Sequence, residues 1–301
     1  MARHASGENF PVALRLLPSR YRRHLVNLYC FARLTDDLGD EARDDQARDD
    51  QARDDEGRDD EAGDDEARDA AADRTQLRLK LLDELAADVA RIYAGATAVS
   101  PVMRMMAETV RERGVPAKPL LDLIEANRQD QKVTRYRTFA ELSRYCELSA
   151  NPVGQIVLYI FGVATPDRMA LSDSICTALQ LAEHWQDVAE DLRNGRIYLP
   201  AEDMERYGCT EADLAEPTAG AAVRDLLRFE TARTAALLDA GAPLVGTLHG
   251  AARLAVAGYV AGGRAALAAI GNQQFDVLKG TPRPGKPRLA AELARTYLAG
   301  R

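Results

Sequence analysis

The sequence lacks the marks of a disulfide scaffold, a zinc protein or a membrane-spanning chain. Its four cysteines, Cys30, Cys146, Cys176 and Cys209, lie far apart with no CxxC pair. That spacing argues against a disulfide framework or a thiolate metal site and favours a reducing cytosol. The opening MARHASGENFPVALRLLP contains no apolar core of roughly 7–15 residues, so no signal peptide is expected. The most apolar stretch, 254–271, is broken by Arg264 and carries four glycines. It falls short of the ~18 uninterrupted apolar residues that suggest a membrane span. No alternating β-branched run is bounded by hairpin turns, so strands are not expected. A strong basic stripe is missing too, which argues against nucleic acid as a partner.

The net charge of −8 over 301 residues is concentrated in one place. Residues 41–73 hold 16 acidic and five basic side chains, leaving 31 acids against 34 bases elsewhere. The mildly basic remainder suits an anionic small molecule or a lipid surface. The acidic segment is a five-residue repeat, from ARDDQ to ARDAA over Ala42–Ala71. Five is not a helical period, and alanine is its sole apolar component. The expectation is a disordered acidic loop at 41–73, inserted in a single domain spanning 1–301. It offers no EF-hand pattern of fixed oxygen positions.

The rest reads as all-α. Helical spacing predicts helices over 12–38, 77–93, 101–113, 118–128, 139–161, 167–192, 219–248 and 251–270. In the second of these, Leu77, Leu81, Leu85 and Val89 form the expected buried stripe. With 46% hydrophobic residues, a sizeable core is available.

Two helix faces carry the chemistry. In YCFARLTDDLGD, Tyr29, Arg33, Asp36, Asp37 and Asp40 share one side. Asp36 and Asp40 are i, i+4 neighbours and repel unless a cation sits between them. In QLAEHWQDVAEDLRNGRIYLP, Gln180, Glu183, Asp187 and Asp191 fall on one face, the three acids at i, i+4 and i+8. Asn194-Gly195 stops that helix, and Arg193, Arg196 and Tyr198 follow as donors suited to a diphosphate. Mg²⁺ takes one or two carboxylates, keeps several waters and completes its shell with phosphate oxygens. Two such faces across a cavity would hold a trinuclear Mg²⁺ cluster against one diphosphate. Ionisation of an allylic diphosphate beside a dry apolar pocket would follow. The plainer alternatives are solvated acidic helix ends and an inactive acidic helical paralogue.

These motifs make the chain resemble the squalene/phytoene synthases, the head-to-head trans-isoprenyl-diphosphate synthases. Tyr29-x3-Arg33-x2-Asp36-Asp37-x2-Asp40 is similar to their first aspartate-rich motif. Asp187-Val-Ala-Glu-Asp191-x3-Gly195-Arg196-Ile-Tyr198-Leu-Pro200 is similar to the second. Tyr145-Cys-Glu-Leu-Ser-Ala-Asn151-Pro-Val-Gly154 resembles the family's central helix. Within the family, Glu8-Asn9-Phe10-Pro11, Ser149 to Gly154 and Trp185-Gln186-Asp187-Val188 are most similar to the hydroxysqualene-forming group of bacterial hopanoid pathways. Glu183 and His184 depart from the family pattern of Asn followed by a bulky apolar residue.

The resemblance implies an isoprenoid synthase fold with a central cavity. It implies metal binding by Asp36, Asp40, Glu183, Asp187 and Asp191, and catalytic roles for Tyr29, Arg33, Asp37 and Gln186. Diphosphate contacts fall to Arg33, Arg193, Arg196 and Tyr198, and pocket positions to Phe10, Tyr145, Asn151 and Gln180. The implied reaction takes presqualene diphosphate and water to hydroxysqualene, with Mg²⁺ and without NADPH. Condensation of two prenyl diphosphates to presqualene diphosphate, squalene, phytoene or dehydrosqualene is the alternative. A presqualene diphosphate synthase and a hydroxysqualene reductase are the pathway partners implied. The expected location is the cytoplasm, with peripheral contact at the inner face of the cell membrane left open.

Overall fold

Prolines, glycines and threonine caps set most of the helix boundaries. The computed structural model describes residues 17–40 and 61–299, with side chains except at 39–40 and 61–71. Helix α1 is Ser19–Asp40, α2 Glu61–Tyr93, α3 Pro101–Arg113 and α4 Ala117–Asp130. Helices α5 (Phe139–Ser149), α6 (Asn151–Phe161), α7 (Pro166–Gln186) and α8 (Val188–Arg193) form the middle of the chain. The remainder comprises α9 (Ala201–Tyr207), α10 (Glu211–Leu214), α11 (Ala221–Gly241), α12 (Leu244–Thr247), α13 (Gly250–Asn272) and α14 (Lys286–Ala299). Among the described residues there is no strand, and one isolated bridge joins Arg135 to Ile197.

The all-α expectation holds, with shifted boundaries. The helix expected over 139–161 splits at Ala150 (φ −114°, ψ −48°), because Pro152 has no N–H to continue the ladder. Thr138 and Thr165 cap α5 and α7 by accepting from the N–H groups of Glu141 and Arg168. Pro243 divides the stretch expected over 219–248 into α11 and α12. Helices α9, α10 and α14 were not expected from the sequence.

The acidic repeat also departs from expectation. Residues 41–60 lie outside the described residues, but 61–73, expected as disordered loop, form the first turns of α2. Alanine is the strongest helix former, and acids near a helix start favour its dipole. Propagation from an anchored segment costs little once a nucleus exists. The anchor is Leu82, Leu85 and Val89, which are buried, whereas Leu77 of the expected stripe is 57% exposed.

Helix α7 occupies the centre and packs against α5, α6, α11 and α13. The close approach depends on small residues. A Cβ on Gly241 of α11 would lie 2.6 Å from the Leu171 carbonyl oxygen of α7. A Cβ on Gly154 of α6 would meet Cys176 Sγ and Ser172 Oγ of α7. Helix α13 is long and apolar enough to cross a membrane by length and composition, yet 67% of its most apolar window is buried. It is the inner helix between α7 and α14. All four cysteines are free thiols.

One buried charge cluster sits under the central helices. Glu230 of α11 is fully buried and shares Arg233 with Asp203 of α9, at 3.4 Å and 2.7 Å. Burial, with Asp203 nearby, pushes the Glu230 carboxyl up to about 8. Its protonated form is therefore the one the fold accommodates. In the unfolded chain it ionises in the ordinary carboxyl range, so its contribution to stability is lost as pH rises from there through about 8. Glu230→Gln should abolish this loss. Urea unfolding from pH 5 to 8 should show the variant gaining on the parent by about 1.4 kcal/mol per pH unit. Parallel stability curves would refute the buried-acid assignment.

Candidate active site

The cavity has two chambers that meet. The apolar one encloses about 360 Å³ between α1, α4, α5, α6, α7, α12 and α13, with Leu28, Val153, Val157, Leu179 and Val256 in its wall. The polar one, about 300 Å³, is walled by residues of α1, α4, α5, α7 and α8 and by Tyr198. Asp36, Leu123, Ser149, Gln180 and Glu183 line both and mark the junction.

Both acidic motifs reach the polar chamber. Asp36 comes from α1, and Glu183, Asp187 and Asp191 from the α7–α8 segment. The helix expected over 167–192 turns at Asp187 (φ −108°, ψ 17°). Its ladder continues across the turn, with Asp187 N–H donating to Glu183 O and Asp191 N–H to Asp187 O. The three acids therefore keep their common side. The turn is tethered from outside: Thr281 Oγ1 donates to Asp187 Oδ1 (2.9 Å), and the Gln186 amide donates to the Pro282 carbonyl. Burial raises the Asp187 carboxyl above the usual range.

The chamber's floor is a polar network. Arg196 Nη1 lies 3.0 Å from Asp130 Oδ1 and its Nη2 donates to the Asp130 carbonyl at 2.7 Å. Tyr145 Oη donates to the other Asp130 oxygen at 2.9 Å. The backbone fixes this pairing, because Ile197 N–H donates to Thr134 O and pins the segment to the connection that follows α4. Tyr198 stacks on His184, with centroids 3.6 Å apart and planes 13° apart. Burial pushes the Tyr198 hydroxyl up to about 12, and burial with Arg196 nearby pulls His184 down to about 3. At neutral pH the phenol is protonated and the imidazole is neutral.

The placements of the sequence-derived residues differ. Tyr29, Arg33 and Asp36 line the apolar chamber, as does Gln186. Tyr145 and Tyr198 line the polar one, and Gln180 both. Asp37 lines neither chamber; its carboxylate takes Arg33 Nε at 2.8 Å. Arg193 ends the short α8 and is exposed, outside both linings. Arg196 is committed to Asp130 and supports the wall of the chamber. Asn151 lines neither chamber: it is buried at the start of α6 and accepts from Thr177 Oγ1 at 3.0 Å. The Asp40 side chain and all of Phe10 lie outside the described residues. Asp130, Ser149, His184 and Tyr259 line the cavity without having been assigned to it. His184 was marked in the sequence by its departure from the motif, and Ser149 by its place in the central-helix motif.

The donor set fits Mg²⁺ that arrives with a diphosphate. Among the described residues, no three His, Cys, Asp or Glu side chains gather tightly enough to hold a metal by themselves. Asp36, Glu183, Asp187 and Asp191 instead stand around one chamber, where each could give one or two oxygens while phosphate and water complete the shell.

Paired acidic helix motifs above an apolar chamber in an all-α bundle fit the isoprenoid synthase fold, and solved structures share it. A dehydrosqualene synthase in complex with a ligand superposes with a TM-score of 0.79 at 22% identity, covering 99% of this chain and 94% of that one. Squalene synthase HpnC from Alicyclobacillus acidocaldarius gives a TM-score of 0.74 at 35% identity, covering 90% of each chain. The family description "squalene/phytoene synthase" matches residues 3–290, and the chain belongs to that family. The hydroxysqualene synthase of Rhodopseudomonas palustris is 31% identical over 239 residues, 79% of this chain and 70% of that protein. That of Zymomonas mobilis is 29% identical over 245 residues, 80% and 71% of the two chains. Members of the family process prenyl diphosphates in isoprenoid biosynthesis.

The Asp130–Arg196 pair needs both of its partners. Removing one partner of a buried pair strands the other charge, at a cost of roughly 3–5 kcal/mol. Arg196→Met should lose about that in urea unfolding, and adding Asp130→Asn should recover part of it. A loss below about 1 kcal/mol would mean the pair behaves as a surface one.

Proposed function

We propose that this chain converts presqualene diphosphate and water to hydroxysqualene and diphosphate. The observation that carries the reading is the direct opening of the carboxylate chamber into the apolar one, through Asp36, Ser149, Gln180 and Glu183. A prenyl diphosphate has the same two halves. Similarity to hydroxysqualene synthases over 79% of the chain, at 31% identity, supports this substrate.

Asp36, Glu183, Asp187 and Asp191 would hold Mg²⁺, whose charge stabilises the departing diphosphate. The Tyr145 and Tyr198 phenols, held protonated by burial, add neutral donors along the same wall. The C–O bond breaks with its electron pair going to diphosphate. The cyclopropylcarbinyl cation left behind is sheltered by Leu28, Val153, Val157 and Val256, which keep bulk water from it. After rearrangement one water oxygen bonds to the cation, and its proton passes to the released diphosphate. Atoms and charge balance without a reductant, so NADPH has no part. Gln186 faces the apolar chamber with its amide fixed on Pro282, a rigid polar group near the cation's path. A cytoplasmic setting fits the free thiols. A presqualene diphosphate synthase would supply the substrate and a hydroxysqualene reductase would take the product.

Purified protein incubated with presqualene diphosphate and Mg²⁺, without NADPH, should form hydroxysqualene detectable by mass spectrometry. The product should vanish with EDTA and fall by roughly 100-fold or more in Asp187→Asn. Turnover of farnesyl or geranylgeranyl diphosphate in its place would move the function to a condensing synthase. Absence of turnover with any of them would refute the enzyme reading.

A further inference from the structure

His184 stands at the polar chamber with both ring nitrogens facing polar groups, although 94% of its surface is covered. Its Nε2 is 3.3 Å from Gln180 Nε2, and its Nδ1 is 4.0 Å from Asp191 Oδ2. An amide nitrogen can only donate, so Gln180 assigns Nε2 as the acceptor. A neutral ring then carries its proton on Nδ1, the nitrogen turned toward Asp191. The ring cannot swing freely, because Tyr198 covers one face in a near-parallel stack. Tyr198 is itself buried beside Arg196, whose Nη1 is 3.5 Å from its hydroxyl.

We propose that His184 is a positioning residue for Asp191. Locked by Gln180 and Tyr198, its Nδ1–H holds the Asp191 carboxylate in the orientation that receives a divalent cation. At 4.0 Å the contact is longer than a hydrogen bond, and a shift below about 1 Å or one bridging water closes it. Carboxylates that bind metals are ordered by such partners, and losing one costs roughly 10–100-fold in metal affinity. A residue present only to fill space would need no ring nitrogen here. The inference rests on the proposed metal–diphosphate role of the chamber.

The test uses the full chain and reads thermal stability during Mg²⁺ titration at fixed inorganic pyrophosphate, since ligands of the native state raise its stability. His184→Phe keeps the stack and loses both nitrogens. It should melt like the parent without ligand but need roughly tenfold more Mg²⁺ for half of the shift. Asn places an N–H close to ring Nδ1 and Gln places one close to Nε2. His184→Asn should therefore recover the parental midpoint and His184→Gln should not. An unchanged Mg²⁺ midpoint in the Phe variant would overturn the inference while leaving the metal site standing. If the Phe variant fails to fold, equal midpoints for Asn and Gln would overturn it instead. A parent chain that gains no stability from Mg²⁺ and pyrophosphate would overturn both the inference and the metal reading.

Discussion

The largely buried pair between Asp130 and Arg196 ties the last turn of α4 to the segment that follows α8, and the polar chamber is arranged around it. Asp130 receives both Arg196 and the Tyr145 hydroxyl on its two oxygens. Arg196 also approaches the Tyr198 hydroxyl, and Tyr198 fixes the plane of His184. A buried ion pair gives little net stability, because desolvation offsets attraction. What it gives here is geometry. Without it the segment 196–198 would keep its backbone contact to Thr134 and the stacking of Tyr198, but Arg196 would lose what aims it inward. The one wall of the chamber built outside the long helices would then be loose.

The two chambers show how a helical bundle separates incompatible solvation demands. Carboxylates must stay near water or cations, and an apolar wall is best kept from both. Helix α7 serves both ends, with Leu179 in the apolar wall and His184 in the polar one. Small residues let it lie close to its neighbours: Gly154 and Gly241 leave no room for a Cβ. Tethers from Thr281 and Pro282 then hold the turn at Asp187, where a helix interior alone would have given no break.

The helical class and both acidic faces were legible in the sequence because they are local patterns. Glu183, Asp187 and Asp191 share a side through a period of four, which survives the turn at Asp187. The pairing of Asp130 with Arg196 was not legible, since 66 residues separate them and neither sits in a periodic pattern with the other. Arg193 and Arg196 looked equivalent as basic residues after an acidic ladder. Only the six-residue length of α8 and the bridge at Ile197 decide that one points to solvent and the other inward. The start of α2 was misread for a related reason. The repeat has no apolar face, but its alanines extend a helix whose anchor lies further along, at Leu82 and Val89. Asn151 sits in a motif-like stretch and turned out to join α6 to α7 through Thr177.

The central claim is that the two acidic helix faces act together as one cation and diphosphate site. The most direct measurement is an anomalous-difference map from crystals grown with Mn²⁺ and inorganic pyrophosphate. The account predicts Mn²⁺ peaks inside the polar chamber, contacted by Asp36 from one side and by Asp187 or Asp191 from the other, with pyrophosphate between them. Mn²⁺ bound elsewhere on the chain, with the chamber holding neither metal nor pyrophosphate, would contradict it.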